Sequence, residues 1–321
     1  MTTTEEPTES ADHGVPRAEV NGIEIAYETF GDPKDPAILL VMGLGTQMLA
    51  WPDQMCEALA AAGHHVIRFD NRDVGLSTHF HDAPSPAPHD VVLRRRSAPY
   101  TVSDMADDAV GLLDVLGIER AHVVGASMGG FISQTIALEH PQRVLSLTLI
   151  MTSTGSRRVG RPTPKLVARM ARRPVVTTRE AAIEESVATY QLIGSPEHLD
   201  EELVRELAGR AYDRAYDPAG TQRQLAAILS QPDRTRRLAN ISVPTLVVHG
   251  LDDPLVAASG GLAIAKAIPG ATFIGHSGMG HDLPRTLWRT LTDDILGLVD
   301  RVDAEPERGT PTWRARAASC R

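Results

Sequence analysis

The five residues Gly125-Ala-Ser-Met-Gly129 lie between a stretch of strand character and a stretch of helical character. The apolar residues 121–124 precede them, and residues 130–140 follow with helical spacing and stop before Pro141. A strand, Gly-x-Ser-x-Gly and a helix in this order predict a nucleophile elbow, in which a tight, strained turn exposes the hydroxyl of Ser127. Glycines are required on both sides of the serine because larger side chains would clash with the strand and the helix. An ordinary strand-to-helix turn is the alternative interpretation.

Length and composition fit one large globular domain, or one domain with an insertion. The chain has 321 residues, of which 42% are apolar and 23% are charged. Its formal net charge of −9 argues against a nucleic-acid-binding surface. Its two cysteines, Cys56 and Cys320, predict neither a disulfide framework nor a metal site. The polar start of the chain and the lack of an apolar run of about 18 residues predict a cytoplasmic protein without a membrane partner.

Short apolar runs alternate with segments of helical spacing along most of the chain. Asn21-Gly22 separates two alternating segments and predicts a tight hairpin. Strands are predicted at residues 36–42, 65–70, 121–124, 144–150, 243–249 and 271–275. Helices are predicted at residues 51–62, 103–116 (with Ser103 as the N-cap) and 284–299. This alternation predicts an α/β fold with a mainly parallel central sheet flanked by helices.

The pattern changes between residues 152 and 240, where arginines are dense. Helical segments such as 180–193 and 200–212 occur there without a good strand. We interpret residues 152–240 as a helical cap inserted into an α/β core that comprises residues 17–151 and 241–302. The alternative is a charged helical surface with no part in substrate selection.

Three further segments have the composition of irregular structure. Residues 1–16 are rich in Thr, Glu, Pro and Ser and are expected to be disordered. Residues 303–321 are expected to form a mobile tail. The long stretch at 79–99 is rich in Pro, His and Arg and is expected to be either functional or disordered.

A serine at neutral pH is a weak nucleophile, so Ser127 needs a general base, and the base needs a carboxylate that orients it. After an elbow of this kind, the acid and then the histidine follow in the chain, each beyond a late strand. Asp253 is the predicted acid, because a Gly-x-x-Asp turn carries the chain over the sheet edge before the carboxylate points back; Asp252 is the alternative. His281, in a glycine-rich loop after the last strand, is the predicted base, and His276 is its alternative.

Acyl transfer also needs hydrogen-bond donors for the oxyanion of the tetrahedral intermediate. The backbone N–H of Met128, the residue after the nucleophile, is one predicted donor. The backbone N–H of Leu44, in a glycine-containing loop after an early strand, is the other. The histidines at positions 64, 65, 79 and 81 do not have the spacing of metal ligands, and neither a metal nor a cofactor is expected.

With these residues assigned, the chain resembles the α/β-hydrolase superfamily over residues 20–300. It is similar in particular to the aclacinomycin methylesterase group, in residues 41–45, 51–53, 65–77, 121–129 and 278–281. Members of that group are bacterial carboxylic ester hydrolases that act on polyketide methyl esters without a cofactor. The resemblance implies Ser127, Asp253 and His281 as a catalytic triad, and Leu44 and Met128 as oxyanion donors.

Some features depart from the family pattern or allow two interpretations. Met42-Gly43 stands where many members of the superfamily have His-Gly. Little similarity is found in the predicted cap or in residues 79–99, which shape the substrate pockets, so the substrate does not carry over. Segment 70–77 is common in the superfamily, and its Arg72 is expected to pair with carboxylates or carbonyls beneath the site. Direct contact of Arg72 with the substrate is the alternative.

The leading functional hypothesis is a serine carboxylic ester hydrolase that forms an acyl-enzyme on a small or medium apolar ester, with a polyketide methyl ester as one candidate. The same triad would serve a cofactor-free perhydrolase of the haloperoxidase type, a lactonase or a C–C bond hydrolase. A binding protein without catalysis is a third hypothesis. Epoxide hydrolases and haloalkane dehalogenases are disfavoured, because they use an aspartate at the position of Ser127. The predicted partner is a small-molecule ester, and the sequence predicts no oligomeric state.

Overall fold

The computed structural model describes residues 14–170 and 176–304. Most of the predicted N-terminal disorder (1–16) and of the predicted tail (303–321) lies outside these residues. The strands are β1 (Arg17–Val20), β2 (Ile23–Phe30), β3 (Ala37–Val41), β4 (His65–Phe69), β5 (Ala121–Ala126), β6 (Val144–Ile150), β7 (Thr245–Gly250) and β8 (Thr272–His276). The α-helices are α1 (Asp53–Ala61), α2 (Pro88–Val92), α3 (Val102–Val115), α4 (Met128–Glu139), α5 (Pro164–Met170), α6 (Arg179–Ile193), α7 (Glu201–Arg214), α8 (Pro218–Ser230), α9 (Ser259–Ala267) and α10 (Trp288–Asp303). Within the described ranges, none of these helices combines the length and the apolar character needed to cross a membrane.

The eight strands form one sheet in the order β1-β2-β4-β3-β5-β6-β7-β8. β2 pairs antiparallel with both β1 and β4, and every other neighbouring pair is parallel. Parallel neighbours require long crossover connections, which helices supply here. The predicted α/β fold with a mainly parallel central sheet flanked by helices is therefore confirmed.

Apolar side chains cover both faces of the sheet. β3 and β5 are buried along their whole length, as expected of strands with helices on both sides. On one face Leu39 belongs to a cluster with Ile132 of α4. On the other face Ile38 belongs to a cluster with Met55 of α1 and Ile295 of α10. Full burial of each such side chain contributes roughly 1.5–3 kcal/mol, so the two clusters hold the sheet rigidly between its helix layers.

The carboxyl ends of four neighbouring strands lie at one edge of the sheet. Ala126 of β5 pairs with Ile150 of β6, and the latter pairs with Val248 of β7. Gly250, at the end of β7, pairs with His276 at the end of β8. The loops that follow these strands therefore start side by side, at the edge where open α/β sheets bind their ligands.

The start of α3 differs from the prediction. Thr101, and not Ser103, is the N-cap: its side chain accepts a hydrogen bond from Asp104 N (3.2 Å), and the Asp104 carboxylate accepts one from Thr101 N (2.7 Å). This reciprocal pair is a capping box, which Ser103 could not have formed with the residue three positions later, an alanine. The stretch predicted to be irregular at 79–99 contains the short helix α2, and α10 starts later and ends later than predicted.

Four helices, α5 to α8, occupy the stretch between β6 and β7 that the sequence predicts to be an inserted cap. The described part of this stretch, residues 152–170 and 176–240, contains no strand. Two of its arginines form buried ion pairs with the loop after β4. Arg214 lies 3.1 Å from Asp70, and Arg223 lies 2.7 Å from Asp73. These contacts fix α7 and α8 against the carboxyl edge of the sheet.

Candidate active site

Ser127 lies in the turn between β5 and α4, with φ 55° and ψ −116°. A non-glycine residue at positive φ is strained, at a cost of order 1–3 kcal/mol. Two hydrogen bonds hold the turn: Ser127 N–H donates to Ile150 O (3.0 Å), and the Thr152 hydroxyl donates to Ser127 O (2.8 Å). A Cβ atom at Gly125 or Gly129 would overlap neighbouring backbone atoms, which explains the glycines of the motif. The turn thus has the conformation that an exposed serine nucleophile requires.

The ring of His281 lies between Ser127 and Asp253. Its Nε2 is 2.9 Å from Ser127 Oγ, and its Nδ1 is 2.7 Å from Asp253 Oδ2. Asp253 and His281 are both buried, while Ser127 is partly exposed. Because a carboxylate only accepts hydrogen bonds, Nδ1 carries the proton and Nε2 can accept the serine proton. The structure therefore brings together the three residues that the sequence singled out, in the order nucleophile, base and carboxylate.

The two alternative residues lie elsewhere. His276 Nε2 is 2.7 Å from Asp294 Oδ2, so this ring is paired with a carboxylate of α10. Asp252 Oδ2 accepts a hydrogen bond from Gly278 N (2.7 Å) and so stabilises the loop that leads to His281. Each of these two side chains therefore holds a neighbouring segment in place.

The carboxylate of Asp253 is oriented by its own turn. Its Oδ1 accepts hydrogen bonds from the backbone N–H groups of Leu255 and Val256, both at 2.8 Å, which leaves Oδ2 for His281. His249, at the end of β7, lies 3.7 Å from the same Oδ2. Burial lowers the pKa of His249, so its ring is neutral and donates from Nε2 to the carbonyl of Val256 at 2.7 Å. The acid therefore points at His281 without a competing cation.

The two predicted oxyanion donors belong to segments that lie next to Ser127. Met128 is the first residue of α4, where the N–H groups have no partner within the helix. Leu44 follows β3, and its neighbour Gly43 passes so close to the nucleophile that a Cβ there would lie 3.2 Å from Ser127 Cβ. The loop after β3 and the start of α4 are thus both adjacent to Ser127.

Comparison with known proteins shows the family of this chain. A family model described as alpha/beta hydrolase fold matches residues 36–284, well over half of the chain. The chain belongs to the alpha/beta hydrolase family. Rhodomycin D methylesterase DauP of Streptomyces sp. (strain C5) is 32% identical over 291 residues, which cover 84% of this chain and 92% of that protein. The resemblance predicted from the sequence is confirmed.

Two other similar proteins show how this family varies. The 2-hydroxy-6-oxononadienedioate/2-hydroxy-6-oxononatrienedioate hydrolase 2 of Pseudomonas putida is 29% identical over 267 residues, or 81% of this chain and 85% of that one. The crystal structure of an enol-lactonase from Burkholderia xenovorans LB400 superposes with a TM-score of 0.68 at 24% identity, covering 89% of this chain and all of the other (100%), and shows the shared fold. The protein is a serine hydrolase of the alpha/beta hydrolase family with a small-molecule substrate.

Arg72 of this hydrolase contacts structural elements. Its guanidinium forms a buried ion pair with Asp108 of α3, with nitrogen–oxygen distances of 2.6 and 2.8 Å, and donates to Asp104 O at 3.2 Å. It also lies over the rings of Phe80 and Tyr100, 5.4 and 5.1 Å from their centroids. Arg72 thus pairs with a carboxylate and a carbonyl, as expected from the sequence.

Two polar side chains next to the hydrolase site could not be predicted from the sequence. Gln224 of α8 is fully buried; its Oε1 accepts from Gly45 N (2.8 Å), and its Nε2 donates to Arg72 O (2.7 Å). Ser195, between α6 and α7, is fully buried and accepts a hydrogen bond from the loop that carries His281. These partners lie 179 and 85 residues away in the sequence, so no spacing pattern could have identified them.

One group of side chains has the composition of a metal site. His79, His81 and Asp217 offer ligand atoms within 4.8 Å of one another. Asp217 Oδ2 is 2.9 Å from His79 Nδ1, but it is also 3.0 Å from the guanidinium of Arg223. A metal ion at this oxygen would be repelled by that fixed cation, and His81 is largely exposed, so we assign no ion to the group.

Proposed function

We propose that this hydrolase cleaves carboxylic esters through an acyl-enzyme on Ser127, with His281 as general base and Asp253 as the carboxylate that orients it. The observation that carries the proposal is the position of the His281 ring, 2.9 Å from Ser127 Oγ on one side and 2.7 Å from Asp253 Oδ2 on the other. These are distances over which a proton can be transferred without rearrangement.

In acylation, Ser127 Oγ attacks the ester carbonyl carbon while its proton passes to His281 Nε2. The carbonyl oxygen becomes an oxyanion that accepts hydrogen bonds from the N–H groups of Leu44 and Met128, and Asp253 stabilises the imidazolium. The bond to the alcohol oxygen then breaks as His281 protonates that oxygen. In deacylation, His281 takes a proton from the attacking water and returns it to Ser127 Oγ as the carboxylic acid leaves.

The proposed substrate is a small or medium apolar ester, in particular a polyketide methyl ester, in bacterial secondary metabolism. The similarity to a rhodomycin D methylesterase supports this class. In this proposal residues 152–240 form a cap over the site, and residues 17–151 and 241–302 form the core that carries the reacting groups. The ion pairs of Arg214 and Arg223 with the core support this division.

Labelling with a fluorophosphonate tests the proposed nucleophile. We expect one phosphonyl group per chain, attached to Ser127, with ester hydrolysis lost in parallel, because only an activated serine attacks the reagent rapidly. Intact-mass and peptide mass spectrometry measure both the number of groups and their position. The matched control is Ser146→Ala, which removes a buried hydroxyl of β6 that lies 2.8 Å from Nδ1 of His122 on β5, and which must leave the labelling rate unchanged. Absence of label, or label on another residue, contradicts the proposal.

A lactonase or C–C bond hydrolase with the same triad is the second candidate. The similarity to the Pseudomonas putida hydrolase favours it. Product analysis separates the candidates: a methyl ester releases methanol, a lactone gives a single hydroxy acid, and a vinylogous 1,5-diketone gives two carbon fragments. Release of methanol at the highest kcat/KM supports the ester proposal.

Gln224→Ala is expected to lower kcat about tenfold and to destabilise the fold by roughly 1–3 kcal/mol. The variant leaves the buried N–H of Gly45 and the carbonyl of Arg72 without partners, and the loop that positions Leu44 loses its anchor in α8. Steady-state kinetics and urea unfolding measure the two effects. Gln191→Ala, at an exposed position of α6 where the amide donates to Glu201, is the control. Wild-type kcat in the Gln224 variant would refute this role for the α8 contact.

A further inference from the structure

The loop that carries His281 is hydrogen-bonded to the segment between α6 and α7. His281 N–H donates to Ile193 O (2.6 Å), and Gly280 N–H donates to Ser195 Oγ (2.9 Å). The hydroxyl of Ser195 in turn donates to Asp282 Oδ1 (2.6 Å). Three successive residues of the histidine loop are therefore bound by two residues of the predicted cap.

The two segments are in close backbone contact. A Cβ atom at Gly280 would overlap the carbonyl group of Gly194, and one at Gly194 would lie 3.2 Å from Asp282 Oδ2. Ser195 has no exposed surface, so water cannot replace its hydroxyl in either hydrogen bond. Loss of that hydroxyl would leave a buried N–H and a largely buried carboxylate oxygen each short of one partner.

The opposite side of the histidine loop contacts the turn that carries the proposed acid. Asp252 N–H donates to Met279 O (3.1 Å), and Gly278 N–H donates to Asp252 Oδ2 (2.7 Å). The loop thus lies between a turn of the core and a segment of the cap. Because a histidine on a glycine-rich loop has many accessible backbone conformations, both contacts are needed to fix the direction of the imidazole ring of His281.

We propose that Ser195 is a positioning residue, whose hydroxyl holds Gly280 and Asp282 and thereby keeps the ring of His281 within reach of Ser127. The inference rests on the proposed function, since it assigns to the cap a part in assembling the triad. Ser195 lies two residues after the end of α6, so a displacement of the cap would move the base away from the nucleophile. The cap then does more than cover the substrate, because its contact with the histidine loop aligns His281 with Ser127.

Asp282 adds an electrostatic element to this arrangement. Burial raises the pKa of Asp282, while the hydroxyl and the backbone N–H of Ser195 oppose that shift by hydrogen-bonding to the carboxylate. Removing the hydroxyl makes the charged form less favourable and frees the side chain to turn. Both effects act on the residue adjacent to His281 and not on the substrate, so we expect a change in kcat and not in KM.

Ser195→Ala is the direct test. We expect kcat to fall about 10- to 100-fold with KM within about twofold, since a displacement of about 1 Å in a reacting group costs this much. The second-order rate of fluorophosphonate labelling at Ser127 should fall by a similar factor, because it depends on the base and not on substrate contacts with the cap. The matched control is Ser146→Ala, which also loses a buried serine hydrogen bond but lies at the other end of the strands.

The outcomes separate the inference from the proposed function. If wild-type protein is labelled at Ser127 but Ser195→Ala has unchanged kcat and an unchanged labelling rate, the inference is overturned and the proposed function stands. A rise in KM with an unchanged labelling rate also overturns it, because it places Ser195 among substrate contacts. Wild-type protein that takes no label at Ser127 overturns the proposed function. If Ser195→Ala fails to fold, Asp282→Ala removes the other end of the same hydrogen bond, and normal kcat in that variant refutes the inference.

Discussion

Replacement of Ser127 by alanine is expected to lower kcat for ester hydrolysis by roughly a millionfold, the loss typical when a triad nucleophile is removed. Without Oγ no acyl-enzyme can form, and His281 has no proton to accept from the protein. The backbone donors of Leu44 and Met128 are unaffected by the substitution, so a small residual rate above the uncatalysed reaction should remain. KM should change little, because the methyl group of alanine fits the space of the serine side chain.

Initial rates of the purified variant on a p-nitrophenyl ester and on a polyketide methyl ester measure this loss. Titration with a fluorophosphonate is needed beside them, since a trace of wild-type enzyme would imitate residual activity. Ser146→Ala serves again as the control for loss of a buried serine hydroxyl. Retention of more than about 1% of wild-type kcat would show that another residue is the nucleophile.

The turn that carries the proposed nucleophile could be predicted because it is encoded by contiguous residues. The strand before Ser127, the two glycines and the helix after it all lie within residues 121–140. Each part is a local requirement: the glycines avoid backbone overlap, and the strand is apolar because helices cover both faces of the sheet. The same reasoning identified the strands of the core and hence the class of fold.

The sequence pattern favours Asp253 over Asp252 and His281 over His276, but the partners of the two alternative residues depend on tertiary contacts. Asp252 and Asp253 are adjacent in one turn, and the hydrogen bonds of the folded turn show what each carboxylate binds. His276 is the last residue of β8 and His281 follows that strand, but Asp294 of α10 binds His276. Since that helix lies beyond both histidines in the chain, its pairing could not be deduced from local pattern.

Two features were missed for different reasons. Ser103 is the predicted N-cap of α3 and this prediction is wrong, although Thr101 with Asp104 three residues later has the pattern of a capping box, so the signal is present in the sequence. Ser195 and Gln224 had no such signal. Their hydrogen bonds connect the inserted helices to loops of the core, and a helical pattern indicates which face of a helix is apolar but not which polar side chain finds a distant partner.

Asp253→Asn is expected to lower kcat about 10⁴-fold while leaving the fold intact. The reason is specific to the geometry of this turn. Oδ1 of Asp253 accepts two backbone hydrogen bonds, from Leu255 and Val256, and only an oxygen can take that position. The amide of asparagine must therefore place its oxygen there and direct its NH₂ group at Nδ1 of His281.

An NH₂ group that donates to Nδ1 reverses the tautomer of His281, because Nδ1 must then be the acceptor. The proton moves to Nε2, which faces Ser127 Oγ at 2.9 Å and can no longer take the serine proton. The fluorophosphonate labelling rate should fall together with kcat, while KM and the melting temperature stay close to wild type.

Asp252→Asn is the matched control. Its amide oxygen can still accept a hydrogen bond from Gly278 N, and we expect kcat to fall less than tenfold, since the Asp252 carboxylate binds Gly278 N and not the imidazole. Equal losses in the two variants would mean that Asp253 acts only through the stability of the turn, whereas a large loss confined to Asp253→Asn requires that its charge and acceptor geometry set the protonation state of the base.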